Sequence, residues 1–133
     1  MNYPPVRLTL NRCVELAELA VKEKGEDYIY ERPVFEGYAS CVYFAEDGSP
    51  SCQVGMVLHY AGVKPFPLHL ANGGDVNDLV QDFEIIEADP ITTLFLNTLQ
   101  ENQDAGKTWG TCLKAAKQVV NMRYPWEPKG TKK

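Results

Sequence analysis

Two helical segments with strong boundary signals constrain the fold of this chain most. The first begins at Asp89-Pro90, an aspartate N-cap followed by proline at the first helical position, and ends at Gly106. The second begins at Thr108, which can cap a helix carrying Trp109 and further apolar residues at helical spacing. Helices joined by so short a link pack side by side, so the pattern predicts an antiparallel helical hairpin.

A third amphipathic helix is predicted near the N-terminus. Thr9 is a suitable N-cap, and Gly25 is a suitable C-terminal stop. Between them the apolar residues recur at helical spacing, with charged residues on the opposite face; the apolar set is Leu10, Cys13, Val14, Ala17, Ala20 and Val21. One face of this helix is therefore expected to lie against the core.

The middle of the chain has weaker signals. β-branched and aromatic runs at residues 28–30 and 41–44 predict two short strands. Ser49 as N-cap and Pro50 at the first helical position predict a central helix that ends at Gly62. Gly55 lies inside that helix, where a glycine is expected if another backbone packs closely against it. A short helix starting at Asp75 is also expected.

These segments predict one helix-dominated α+β domain. Its order is an N-terminal helix, a short two-stranded β element, a central helix and the C-terminal helical hairpin. The domain is expected to span residues 1–122, followed by a basic, proline-containing tail at 123–133. A chain of 133 residues is long enough to bury a core of ordinary size.

The charge distribution narrows the classes of partner. The net charge is -5, but residues 121–133 carry a net +3, so the remainder is strongly acidic. Because an acidic body repels phosphate, direct binding of nucleic acid is not expected, although an acidic mimic of DNA is an alternative. No apolar run is long enough to span a membrane, and the N-terminus does not resemble a signal peptide. A cytoplasmic location with four free thiols is therefore expected.

No motif in the sequence predicts a catalytic or metal site, and no cofactor is expected. The residues closest to a metal-ligand set are Cys41, Cys52, His59 and His69, but zinc sites favour ligand pairs two to four residues apart. Cys52 and His59 form an alternative centre, because a thiol near a helix N-terminus has a lowered pKa and can act as a nucleophile. An acidic cluster at Glu84, Glu87 and Asp89 is interpreted either as paired carboxylates or as a solvated face.

Surplus aromatic residues predict where a protein partner would bind. Six aromatic residues lie between positions 28 and 44, and Tyr124 and Trp126 lie in the proline-bounded tail. Aromatic residues beyond the needs of a small core are common anchors of interfaces. The partner-binding candidates are Phe35, Tyr38, Tyr124 and Trp126. For the tail, two alternatives are open: it folds back over the domain as a strap, or it docks on a partner.

Four segments, taken in order, resemble a group of small proteins encoded by bacteriophages of actinobacteria, mycobacteriophages among them. The segments are Gly25-Glu26-Asp27-Tyr28-Ile29-Tyr30, Cys41-Val42-Tyr43, Pro50-Ser51-Cys52-Gln53-Val54-Gly55-Met56-Val57-Leu58 and Gln103-Asp104-Ala105-Gly106-Lys107-Thr108-Trp109-Gly110. The likeness covers most of the chain from Leu10 to Ala116. It implies a phage origin and action in the host cytoplasm, and it implies no particular activity.

The leading hypothesis is a non-enzymatic phage accessory protein that binds a host or phage protein. A second copy of the chain is an alternative partner, because two-fold self-association is the commonest assembly. A small thiol- or metal-dependent enzyme or regulator centred on Cys52 and His59 is the second hypothesis. An acidic inhibitor that mimics DNA is the third.

Overall fold

A computed structural model of the chain describes residues 5–30, 43, 49–63, 76–82 and 84–123. Four helices dominate the described residues: α1 (Leu10–Lys24), α2 (Gln53–Tyr60), α3 (Pro90–Asp104) and α4 (Trp109–Arg123). Two short strands, β1 (Val6–Arg7) and β2 (Ile86–Glu87), and a π-helical turn at Asp78–Asp82 accompany them. The helix-dominated fold predicted from the sequence is therefore confirmed.

Side-chain caps fix the starts of three helices where the sequence predicts them. The Thr9 hydroxyl accepts a hydrogen bond from the Arg12 amide at 3.2 Å and starts α1. Asp89 accepts from the Thr92 amide at 2.9 Å and starts α3, with Pro90 in its first turn. Thr108 accepts from the Thr111 amide at 3.2 Å at the start of α4. Each cap satisfies an amide that the helix itself leaves unpaired.

The start of α2 was predicted wrongly. The helix begins at Gln53, with Cys52 rather than Ser49 as its N-cap. The Ser51 amide donates to the Tyr43 carbonyl at 2.9 Å, and this bond holds the preceding residues outside the helix. The interpretation of Gly55 is confirmed, because a Cβ added there would overlap the Tyr43 carbonyl oxygen and lie 2.9 Å from its carbonyl carbon.

The strand predicted at residues 28–30 was wrong, and the strands of the structure lie elsewhere. β1 and β2 pair in parallel, with Val6 opposite Ile86 and Arg7 opposite Glu87, so the two strands are far apart in sequence. Residues 28–30 form no strand, because the Tyr28 carbonyl accepts instead from the Trp109 amide at 2.9 Å, at the start of α4. Of the second predicted strand, only Tyr43 lies within the described residues, and it forms a bend.

Each strand leads into a helix in the same way. Two residues separate β1 from α1, and two separate β2 from α3. The Leu8 amide donates to the Glu87 carbonyl at 2.9 Å and extends the pairing beyond the strands. Because the strands are parallel and the links are equal in length, α1 and α3 begin beside each other.

The helices enclose one core. α3 and α4 pack against each other most extensively, and α1 contacts α2, α3 and α4. The largest fully buried side chains are Trp109, Tyr43, Phe95, Leu58, Leu79, Ile86, Leu96, Leu99 and Gln53. Of the short helix expected from Asp75, residues 76–82 are described, and they end in the π-helical turn. None of the described helices has the length and apolar character that crossing a membrane requires.

Candidate functional site

A buried junction connects parts of the chain that are far apart in sequence. We define the junction by Tyr28, Tyr43, Gln53, Gln100, Gln103 and Trp109. Hydrogen bonds of these residues connect the end of α3, the start of α4, the start of α2, Tyr28 and Tyr43. The junction therefore holds three helices and two further residues together.

Two glutamines of the junction organise the start of α2. The Gln53 amide donates to Gln103 Oε1 at 2.7 Å, so a side chain of α3 caps α2. Gln53 Nε2 donates to the Trp109 carbonyl at 3.3 Å and ties α2 to α4. Gln53 is fully buried, and its Oε1 has no hydrogen-bond partner within the described part of the chain. An unpaired buried amide oxygen lowers the stability of the fold. The hydrogen bonds that Gln53 donates to Gln103 and Trp109 offset this cost and hold the side chain in place.

Trp109 is the centre of the second half of the junction. Its ring is fully buried and lies edge-on to Tyr28, with 4.8 Å between ring centroids. The Gly110 amide donates to the Glu26 carbonyl at 3.0 Å, so the segment after α1 caps α4. Lys24 lies over the other aromatic ring of the pair, 5.5 Å from the Tyr28 centroid. Carboxamide and indole groups are neither acids nor bases near neutral pH, so these contacts position helices rather than transfer protons.

The structure separates Cys52 from His59. Cys52 is disulfide-bonded and fully buried at the N-cap of α2, whereas His59 is exposed in the last turn. Seven residues of helix place them about 10 Å apart along the axis. A disulfide sulfur is neither a nucleophile nor a thiolate ligand until it is reduced. Cys41 and His69 lie outside the described residues, among which no group of three metal-ligating side chains occurs.

The expectation of four free thiols holds for two cysteines and is wrong for Cys52. Cys13 and Cys112 carry free, buried thiols. Burial, and secondly the carboxylate of Asp89, raise the pKa of the Cys13 thiol to about 12. Burial likewise raises the pKa of Cys112 to about 11. Since the thiolate is the reactive form, both thiols are held in the inert form at neutral pH.

The remaining sequence candidates divide between described and undescribed parts of the chain. Phe35, Tyr38, Tyr124 and Trp126 lie outside the described residues. In the acidic cluster, the carboxylate of Asp89 caps α3. Glu84 and Glu87 are exposed. This placement fits the interpretation of these carboxylates as a solvated face.

An open groove lies between α1 and α4. Its volume is about 490 Å³, and it is lined by Glu18, Val21, Lys22, Gly25, Glu26, Leu113 and Lys117. We call it the α1–α4 groove. Val21 and Leu113 are the apolar residues of its lining, and each is at least nine-tenths buried. Its volume lies in the range of roughly 300–1,000 Å³ that is usual for ligand sites, but its lining is mainly charged, whereas such sites are lined mainly by apolar side chains.

The charges of the groove are only partly neutralised. Lys117 and Glu18 form an ion pair across it, with 2.6 Å between Nζ and Oε2. Lys22 and Glu26 have no ion pair within the described part of the chain. An occupant would therefore meet mainly charged surface, with one available cation and one available anion, because Val21 and Leu113 expose little of their side chains.

A second cavity lies where α1 and α3 begin. It measures about 320 Å³ and is lined by Arg7, Leu8, Thr9, Glu87, Ala88 and Asp89. Two helix N-termini favour an anion, but the carboxylates of Glu87 and Asp89 oppose one. This cavity is therefore a poorer candidate than the α1–α4 groove.

Sequence reasoning identified no groove residue as a binding candidate. Of the groove residues, Gly25 is predicted from the sequence as the stop of α1, and Val21 as part of its apolar face. The meeting of the groove residues depends on the packing of two helices far apart in sequence, which no local pattern reveals.

Comparisons with known proteins give no relative. No protein-family model matches the sequence, and neither a curated protein nor a solved structure matches the chain.

Proposed function

We propose that this chain is a non-enzymatic phage accessory protein that binds another protein, and that the α1–α4 groove receives a short segment of that partner. The observation that carries the proposal is the groove itself, with Val21 and Leu113 beside the available charges of Lys22 and Glu26. A peptide that presents an acidic residue toward Lys22 and a basic residue toward Glu26 matches this lining. Charge complementarity of this kind gives an interface its specificity and orientation.

The host cytoplasm is the proposed place of action, with a host or phage protein as the partner. The disulfide of Cys52 counts against a reducing compartment, where structural disulfides are rare. The full burial of Cys52 would slow attack of glutathione on its sulfur.

Charge reversal in the groove tests the proposal. Tagged wild-type protein, Lys22→Glu and the matched control Lys114→Glu are used in parallel to capture proteins from host lysate, and recoveries are compared by quantitative mass spectrometry. Lys22 lines the groove, and Lys114 is equally exposed on α4 but does not. Because like charges at an interface cost several kcal/mol, we expect at least a tenfold lower recovery of the partner with Lys22→Glu only.

Two results would count against this function. One is the absence of any protein whose recovery depends on Lys22. The other is equal loss with both variants, which would indicate a general charge effect rather than the groove. A partner that proves to be a second copy of the chain would appear as concentration-dependent sedimentation that Lys22→Glu abolishes.

A further inference from the structure

We propose that two copies of this chain associate about a two-fold axis, so that the end of α1 and the α1–α4 groove of one copy face the same surface of the other. This inference rests on the groove assigned under the proposed function and names the partner there as a second copy of the chain. The residues that form the contact all lie in the described part of the chain.

The available charges of the groove complement those of a second copy. Lys22 lies in the last turn of α1, and Glu26 follows four residues later, beyond the helix end. A two-fold axis that passes between them, at right angles to α1, sets the two helices antiparallel and brings Lys22 of each copy opposite Glu26 of the other. One cation and one anion in each copy therefore form two identical ion pairs across the interface.

Exposed apolar side chains follow both charges along the chain. Leu19 is 44% exposed and lies about one turn before Lys22 on α1, and Ile29 is 50% exposed and lies three residues after Glu26. Because these four residues occur in the order apolar, basic, acidic, apolar, the antiparallel arrangement brings the Leu19 end of one copy towards the Ile29 end of the other. Burial of these side chains adds the hydrophobic contribution that ion pairs in water lack.

The groove is a surface at which the acidity of the chain does not oppose self-association. The chain carries a net charge of -5, so two copies repel each other in general. Two acidic and two basic side chains line the groove, and Lys117 and Glu18 neutralise each other within each copy. The charges left for a second copy are those of Lys22 and Glu26, which are balanced in sign.

Charge reversal of purified protein tests this contact. Two surface ion pairs and a small apolar contact make a weak dimer, so sedimentation equilibrium is measured from about 10 μM to about 1 mM protein. The proteins are the wild type, Lys22→Glu, Glu26→Lys and the double variant that carries both changes. Lys22→Glu places carboxylates opposite each other, and Glu26→Lys places ammonium groups opposite each other. We expect each single variant to weaken association by about tenfold or more.

Recovery of association identifies the residues that face each other. The double variant restores opposite charges between like copies, and an equimolar mixture of the two single variants restores them between unlike copies. We expect the double variant and the mixture to associate about as strongly as the wild type. Lys114→Glu is the matched control, because Lys114 is exposed on α4 and does not line the groove, and it should associate as the wild type does. Leu19→Ser is expected to weaken association without changing the charge.

The proposed dimer is overturned if the wild type is monomeric throughout this range of concentration. It is also overturned if Lys22→Glu and Lys114→Glu weaken association equally, or if neither the double variant nor the mixture recovers it. Failure of the proposed function is a separate result. A dimer of the purified protein with no Lys22-dependent protein in the lysate capture retains the inference without a host partner, and a monomer that captures such a protein retains the function without the dimer.

Discussion

Gly55 is the one residue of its segment from which a close packing contact can be predicted. A glycine inside a short helix lowers helix stability, so its presence indicates a backbone that approaches closely. The structure places the Tyr43 carbonyl against it. Tyr43 is itself fully buried, and its hydroxyl accepts a hydrogen bond from Gln100 Nε2 at 2.8 Å. The glycine therefore fixes the contact between α2 and the Tyr43 segment.

Replacing Gly55 with alanine is expected to be severely destabilising. The added Cβ would overlap backbone, which cannot move aside as a flexible side chain can. We expect a loss of at least about 3 kcal/mol in the free energy of unfolding, measured by urea denaturation, or a failure to fold. Gly62→Ala is the control, because Gly62 has φ +93° and open space around it, so only backbone strain of about 1–2 kcal/mol applies. Equal losses for both variants would contradict the close contact at Gly55.

A helix or strand could be predicted from the sequence where the contacts that determine it are local. The starts of α1, α3 and α4 were predictable because each cap lies within three residues of the amide that it accepts from. The start of α2 was not, because Gln103, fifty residues away, and the Tyr43 carbonyl determine it. β1 and β2 were not predicted for the same reason, since they pair across most of the chain.

Cys52 contributes to stability both as the N-cap of α2 and through its disulfide, and two substitutions distinguish these contributions. Cys52 Sγ accepts from the Gly55 amide at 3.3 Å and is also disulfide-bonded. Serine keeps a capping oxygen and removes the disulfide, whereas alanine removes both. We expect Cys52→Ser to lower the free energy of unfolding by about 2–4 kcal/mol and Cys52→Ala by about 1 kcal/mol more.

Reduction of the wild-type protein provides the matching measurement. Because Cys52 is fully buried, attack on its sulfur requires the fold to open, so dithiothreitol is expected to reduce the disulfide more slowly in the native protein than in urea, as read by alkylation and intact mass. After reduction in urea and refolding under reductant, the stability of the wild-type protein should equal that of Cys52→Ser. Equal rates of reduction with and without urea would show that burial of Cys52 does not protect the bond, and no stability difference between wild type and Cys52→Ser would show that the disulfide does not stabilise the fold.

At the scale of the whole molecule, composition and helix patterns predicted the class of fold, whereas the candidate site emerged only from assembly. The α1–α4 groove exists because the end of α1 lies beside the first half of α4, joined by the Gly110–Glu26 hydrogen bond and the Lys117–Glu18 ion pair. The latter spans 99 positions of sequence. The sequence pattern of one helix does not specify which other helix packs beside it. A groove between two helices therefore cannot be predicted from the sequence of either one.

Buried thiols on two different helices also couple the stability of the whole fold to alkaline pH. Burial raises the pKa of Cys13 from 9.0 to about 12 and that of Cys112 from 9.0 to about 11. Burial, and secondly the hydrogen bond to Glu23, raise the pKa of Tyr60 from 10.0 to about 12. Between the unfolded and folded pKa values, the unfolded chain has lost protons that the native state retains. Stability then falls as pH rises, because the unfolded state binds fewer protons.

We therefore expect the free energy of unfolding to be insensitive to these groups below about pH 8 and to fall steadily above pH 9. The fully buried Cys13 thiol contributes a slope of about 1.4 kcal/mol per pH unit once its unfolded form has ionised. Urea denaturation at closely spaced pH values between 7 and 11 measures this slope. Cys13→Ala loses packing at every pH but should show a shallower alkaline decline, whereas Tyr60→Phe loses the hydrogen bond to Glu23 at every pH and should show a shallower decline only above pH 10. An unchanged slope in Cys13→Ala would mean that this thiol ionises as easily in the folded chain as in the unfolded one, and that α1 does not seal it from water.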